Sequence, residues 1–196
     1  MGIQVLLEEL AVPYRLIHTT IDMRKSRPKE QLLINPNGWL PVLAGDTEMY
    51  ECAAITIFLC DRHSEAGLAP SRDAKERGLY LQTLTYFSSS IQNAFQLDYY
   101  PDRFADEVAY YPSAQRRGIR RLTETWQVID NQIGNKDWLL GENFSAADIY
   151  LFMLTTWLKP SRGQPSVSTF PNVKRIATKV SNRPSALLVY GSLPSE

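Results

Sequence analysis

A proline at the head of a short apolar run constrains this chain more than any other residue. The stretch Asn35-Pro36-Asn37-Gly38-Trp39-Leu40-Pro41-Val42-Leu43 reads as a turn that enters a strand, and Glu51-Cys52-Ala53-Ala54-Ile55 reads as an acidic residue opening a helix. Between them, Asp46 to Tyr50 is long enough for one hairpin return. A proline cannot donate to a strand ladder, so Pro41 needs a special backbone arrangement at the strand start. A cis Leu40–Pro41 peptide is one such arrangement. It would turn the N–H and C=O of Leu40 outward, toward a peptide-like ligand. Close by, the first turn of the following helix would offer its unpaired N–H groups to a carboxylate. Together these features describe a site for a small, anionic, peptide-shaped molecule.

The order of these pieces resembles the N-terminal domain of the cytosolic glutathione transferases. A second motif agrees with the first. Gly141-Glu142-Asn143-Phe144-Ser145-Ala146-Ala147-Asp148-Ile149 is similar to the run that opens the core helix of that family's C-terminal domain, and Phe170-Pro171-Asn172-Val173 and Arg183-Pro184-Ser185-Ala186 resemble its closing helices. The likeness spans nearly the whole chain. It implies a thioredoxin-like α/β domain over residues 1–63 followed by an all-α domain over 71–196. It also implies glutathione as co-substrate, a small hydrophobic electrophile as second substrate, and a homodimer.

Composition bounds the alternatives. Lysine plus arginine equal aspartate plus glutamate, 21 each in 196 residues, so no net field gathers nucleic acid or an anionic membrane. The basic run Arg116-Arg117…Arg120-Arg121 reads as the solvated face of a helix. No apolar run approaches the ~20 residues that span a bilayer, and no charged-then-apolar leader opens the chain. Cys52 and Cys60 fall on one expected helix about 12 Å apart at 1.5 Å per residue, too far for a disulfide. Reduced thiols and a cytoplasmic location are the expectation. His18 and His63 have no second ligand at metal spacing, so no metal is expected.

Along the chain, Ile3, Leu6, Leu7 and Leu10 recur at helical spacing, and Tyr14 to Thr19 alternates as a strand does. Met23 to Leu33 reads as a loose turn and a short helix around Pro28. Cys52 to Cys60 is nearly all apolar, which predicts a helix buried on most sides. Asp61 to Ser71, with Gly67 and Pro70, is the expected linker. Ser71 is expected to cap a helix reaching Tyr99, with Leu79, Leu84, Phe87, Ile91 and Phe95 as its apolar stripe. That stripe is the one surface the sequence offers a dimer partner. Pro112-Ser113 starts another helix, closed by Gly134. Ser145 and Asp148 are spaced as a capping pair for a core helix from Ile149 to Leu158.

One family feature is missing. In the family the fold begins with a strand whose turn into the first helix carries the activating Ser, Tyr or Cys. Matching Val5 to Glu9 to the first helix places that residue ahead of Met1, so the catalytic residue is unassigned and the chain is expected to be short of its native start. Without that strand, Tyr14–Thr19 would lose its parallel neighbour. Each buried backbone group left unpaired costs ~1–3 kcal/mol against a total stability of ~5–15 kcal/mol. An upstream reading frame with no apolar strand ending in a Ser, Cys or Tyr turn would contradict the expectation.

By resemblance, Leu40 and Pro41 hold the cysteinyl part of glutathione, while Glu51 and Cys52 take the γ-glutamyl amine and carboxylate. Cys52 departs from the family's serine, and a thiol is a weaker donor. Trp39 stands where a lysine or arginine often reaches the glycyl carboxylate, which predicts weaker binding. Asp148 and Ser145 are structural caps. Tyr99, Tyr100 and Trp157, with Tyr86, could line an electrophile pocket, although aromatic residues at helical spacing are also ordinary core. Three readings follow: a glutathione transferase-like enzyme that conjugates or reduces electrophiles, a glutathione-linked redox protein acting through a Cys52 thiolate at a helix N-terminus, and a non-catalytic interaction module on the same fold.

Overall fold

The structure is a computed structural model that describes residues 1–19 and 28–192. Helix α1 spans Gly2–Glu9 and buries Val5, Leu6 and Leu7, the stripe expected from the leucine spacing. It ends at Leu10, and Ala11 turns the chain at φ 52. Tyr14–Thr19 forms no strand, which corrects the expectation from its alternating pattern. Strand identity comes from a partner's ladder, and among the described residues none runs alongside. Leu16 and Ile17 lie exposed, and Tyr14 instead donates its hydroxyl to Glu8 Oε1 at 2.5 Å. Of the turn and helix expected over Met23 to Leu33, residues 20–27 lie outside the described residues. Helix α2 spans Lys29–Ile34, directly after Pro28, whose fixed φ suits a helix entry.

The hairpin forms. Strand β1 (Val42–Leu43) pairs antiparallel with β2 (Met49–Tyr50), Val42 across from Tyr50 and Leu43 across from Met49. Helix α3 (Cys52–Arg62) follows at once and buries Cys52, Ile55, Thr56, Leu59 and Cys60 along one stripe. Ala53, Ile57 and Phe58 are partly buried against the core and only Arg62 is exposed, so the helix is covered on most sides, as its composition predicts.

Ser71 caps no helix. Helix α4 spans Arg77–Tyr86, starting five residues later than a Ser71 cap would place it. Its start is fixed from a distance: the Arg77 guanidinium donates to both oxygens of Asp61 at 2.8 Å and to Pro70 O at 3.1 Å. A π-helical turn over Phe87–Ile91 separates α4 from α5 (Gln92–Tyr99). There Ser88 and Ser89 both donate to Thr85 O, at 3.0 and 2.8 Å. Such back-bonding competes with the regular ladder and favours a local change of pitch. Leu84, Phe87, Ile91 and Phe95 are wholly buried in this chain's own core.

Helix α6 (Tyr111–Ile133) has Pro112 in its first turn and ends at Gly134, as the sequence predicts. It approaches α5 so closely that a Cβ on Gly118 would stand 2.8 Å from Asp98 N and 2.9 Å from Ala94 O. Helix α7 (Ala146–Thr155) is buried at every position from Ala146 to Leu154. Helices α8 (Pro171–Ser181) and α9 (Pro184–Tyr190) close the chain. Helix α1 packs on both α7 and α9, so Val5 and Leu6 join the same apolar core as Trp126, Ile149 and Phe170. No described helix is long and apolar enough to cross a membrane.

Candidate functional site

The loop from Asn35 to Trp39 is built by two buried amides. The Asn35 side chain accepts from Asn37 N at 3.1 Å and donates to Trp39 O at 3.1 Å, while Gln31 Nε2 donates to Gly38 O at 3.0 Å. This is the asparagine turn chemistry expected of an Asn-Pro-x-Gly run, with Gly38 at φ 70 where a side chain would be strained. Asn35 and Gln31 are 2% and 9% exposed. The loop therefore delivers Trp39 and Leu40 to the surface at a defined place. The Leu40–Pro41 peptide is cis, and Leu40 is 41% exposed.

The hairpin register sets what stands opposite. The ladder ends at the Val42–Tyr50 pair, so Pro41 and Glu51, the next residues of the two strands, leave the hairpin at the same end. Glu51 opens α3 in a left-handed conformation, φ 71 and ψ 112, which is costly for a residue with a Cβ and recurs at ligand clamps. No side chain caps α3. Its first-turn N–H groups and positive dipole end therefore open at the hairpin end from which the Leu40–Pro41 segment enters β1.

Cys52 is placed differently from its neighbours. Its side chain is 6% exposed and lines a cavity of about 10 Å³ with Gly2, Leu6, Thr56, Tyr150 and Met153. Burial pushes its thiol up to about 12, against the Tyr150 and Thr56 hydroxyls, which pull it down. Tyr150 in turn donates to Gln92 Oε1 at 2.6 Å. This corrects the expectation of a reactive thiolate: the helix N-terminus acts on the Cys52 backbone, but the sulfur points into the protein, where an ion is poorly solvated. Cys60 is buried as well, its thiol raised by burial to about 11, and both cysteines are free.

The aromatic residues divide into two groups. Tyr99 donates to Trp157 O at 2.8 Å. Phe95 stacks on Tyr99 at 6.2 Å and meets Trp157 edge-on at 5.6 Å, with Arg162 over the Tyr99 ring. These rings are largely used in packing. Tyr100 turns the other way, its ring 6.1 Å from Trp39 and nearly perpendicular to it. The Arg103 guanidinium lies 3.5 Å from the Trp39 ring centre and 4.0 Å from that of Tyr100. Sequence reasoning missed Arg103 because nothing local links it to a residue 64 positions earlier.

The capping pair is fully formed. Leu139 N and Ser145 N each donate to one oxygen of Asp148 at 2.8 Å, and Ser145 Oγ donates to it at 2.9 Å. Burial still raises the Asp148 carboxyl to about 6, because three donors offset only part of the lost hydration. An open cleft of about 550 Å³ along α1, lined by Gln4, Leu7, Glu8, Val12, Tyr14 and Leu16, contains none of Leu40, Pro41, Glu51 and Cys52. Among the described residues no group of three or more His, Cys, Asp or Glu side chains is placed to hold a metal.

A small α/β hairpin half joined to an all-α half, with an uncapped helix opening beside a cis-proline loop, is the glutathione transferase fold. Residues 109–184 match the glutathione S-transferase C-terminal domain. The chain is 25% identical over 192 residues to the disulfide-bond oxidoreductase YfcG of Escherichia coli K12, covering 93% of this chain and 86% of that one. Among solved structures it superposes on a glutathione transferase homologue from Sulfitobacter with bound glutathione (TM-score 0.86, 23% identity, 96% of this chain and 90% of that one). It also superposes on a sphingomonad glutathione S-transferase complexed with glutathione (TM-score 0.80, 24% identity, 94% and 89%). Residues 109–184 thus carry that family's C-terminal domain, and the chain as a whole has the glutathione S-transferase fold.

Proposed function

We propose that this protein binds glutathione across the junction of the Leu40–Pro41 loop and the start of α3, and presents its thiol to a small hydrophobic electrophile. The observation that supports the reading is the hairpin register, in which Pro41 and Glu51 adjoin the Val42–Tyr50 pair and Glu51 opens the uncapped helix Cys52–Arg62. The backbone of Leu40 pairs with the cysteinyl peptide. The Glu51 carboxylate accepts from the γ-glutamyl ammonium, and the Cys52 backbone N–H donates to the γ-glutamyl carboxylate at the positive end of the helix. The Cys52 sulfur takes no part, and the residue that activates the glutathione thiol is unassigned. In this reading residues 1–63 bind the tripeptide and 71–196 supply the electrophile's surface, with Tyr100, whose ring lies 6.1 Å from that of Trp39, the aromatic candidate next to the loop. The protein acts in the cytoplasm as a homodimer, on a surface other than the buried Leu84–Phe95 stripe.

Three similar proteins bear on the chemistry. Glutathione-bound structures of the same fold support the tripeptide, and the oxidoreductase relative favours a second use of it, the reduction of disulfides by glutathione. Parallel turnover assays with an aryl halide and with a small disulfide separate conjugation from reduction. Binding itself is tested by thermal denaturation. Glutathione at a hundredfold excess over its Kd should stabilise the fold by about 2.7 kcal/mol, while cysteinylglycine, which lacks the γ-glutamyl group, should not. Equal shifts with both compounds, or none with either, overturn the reading.

A further inference from the structure

We propose that the buried carboxylate of Asp98, held by Arg162 and Gln164, positions Tyr100 as the wall against which an aromatic electrophile is held. The proposal rests on the glutathione reading above and names the class of its second substrate. Asp98 is 2% exposed and lies in the last turn of α5, two residues before Tyr100. Arg162 Nε donates to its Oδ2 at 3.1 Å and Arg162 Nη2 to its Oδ1 at 3.3 Å, while Gln164 Nε2 donates to Oδ2 at 2.6 Å. The Asp98 carbonyl accepts as well, from Gln115 Nε2 of α6 at 3.2 Å and from Arg162 Nη2 at 3.3 Å. Gln164 is itself buried, and its Oε1 accepts from Lys159 N at 2.8 Å. One residue thus ties together the end of α5, the start of α6 and the turn Pro160–Arg162. Apolar side chains of similar volume would stabilise such a junction about as well, so the network's particular contribution is to fix direction.

Direction matters at the next two residues. Tyr99 turns inward, its ring 4.8 Å from the Arg162 guanidinium and its hydroxyl donating to Trp157 O at 2.8 Å. Tyr100 leaves helical geometry at φ −135 and ψ 59, and its half-buried ring meets Trp39 of the small half edge-on at 6.1 Å. Successive helical residues point about 100° apart. A last turn of α5 slipped by one position would therefore bury Tyr100 and send Tyr99 outward, and the bonds to Asp98 are what set that turn. Trp39 adjoins Leu40, on which the glutathione reading places the cysteinyl residue, so a group carried on its sulfur lies within reach of Tyr100. An aromatic group suits this wall best, because ring pairs gain from edge-to-face and offset contacts that an alkyl chain does not make.

The test is calorimetric titration of the whole chain with glutathione and with S-benzylglutathione. The wild type should bind the benzyl compound about tenfold more tightly than glutathione, and S-hexylglutathione should gain less. Tyr100→Ala should bring the benzyl ratio close to one. Arg162→Gln should lower that ratio about threefold while leaving the affinity for glutathione unchanged, and Arg162→Lys, which keeps the charge without the fork, should restore only part of it. In the double variant Arg162→Gln should add nothing to Tyr100→Ala, because it acts through that ring. Gln164→Met, which removes another donor to Asp98, serves the same purpose if Arg162→Gln does not fold. A wild-type ratio near one, a ratio unmoved by Arg162→Gln, an equal loss for both ligands, or additive effects in the double variant would each overturn the proposal and leave Asp98 as a packing residue. If the wild type binds neither compound, the glutathione reading itself has failed and the proposal falls with it.

Discussion

Two neighbouring residues at the mouth of α3 are asked to do opposite things, and their environments explain how. Glu51 stands exposed in a left-handed backbone conformation, while Cys52 turns its sulfur inward. The positive φ of Glu51 costs of order 1–3 kcal/mol, a cost that glycine would remove. Glu51→Gly should therefore leave the fold as stable as before or raise its stability by about 1 kcal/mol, while weakening glutathione binding at least tenfold by removing the ammonium's acceptor. Chemical denaturation beside a glutathione titration checks this, and a destabilised variant that binds normally would contradict it. For Cys52, a thiol raised to about 12 is ionised to about one part in ten thousand at pH 8. Native protein should accordingly resist alkylation at both cysteines and react fully only when unfolded. Rapid labelling of Cys52 in the folded chain at neutral pH would restore the redox reading.

At the scale of the element, what the sequence reveals depends on how far away the deciding contact lies. The turn at Asn35, the hairpin return and the Ser145–Asp148 cap are legible because each is settled within a few residues. The strand expected at Tyr14–Thr19 needs a partner, and the start of α4 is set by Asp61 holding Arg77 across sixteen positions. Neither is written in local periodicity. Arg103 on Trp39 is the same case inside the candidate site. The cap of α7 also predicts a cost. Both Asp148 oxygens accept backbone N–H groups, so Asp148→Asn sets a donor against a donor and should cost about 1–3 kcal/mol at neutral pH. The close passage of α5 and α6 predicts another. In Gly118→Ala the new methyl would meet backbone at 2.8–2.9 Å, and separation of the helices should cost about 1–3 kcal/mol. Urea denaturation measures both, and changes below about 0.5 kcal/mol would mean that the contacts are looser than described.

Across the whole molecule, the first helix is moored to the last. Arg183 donates two 2.7 Å hydrogen bonds to Glu9, Ser185 joins them, and the Arg183 guanidinium covers the Phe144 ring. Burial raises the Glu9 carboxyl, but its bonds to Arg183 and Ser185 outweigh this and hold it below its usual 4.5. The resulting stability is present above the unfolded value of 4.5 and is lost as pH falls through the lower folded value. Asp148 acts in the reverse sense. With its folded value raised to about 6, its contribution is full below about 4 and fades as pH rises through 6. Thermal stability should thus rise modestly from pH 7 to 5 and fall below pH 4. Glu9→Gln should flatten the acid limb and Asp148→Asn the limb above pH 5. A pH profile unchanged by either substitution would remove these two carboxylates from the account.

The central claim is that the hairpin register and the uncapped end of α3 form one ligand cradle. Backbone amide chemical shifts, followed by NMR during titration with glutathione, test it most directly. Saturable shifts should concentrate at Leu40, Cys52 and Ala53, with smaller ones at Trp39. Shifts centred on the α1 cleft near Gln4 and Tyr14 instead, or no shifts at millimolar glutathione, would contradict it.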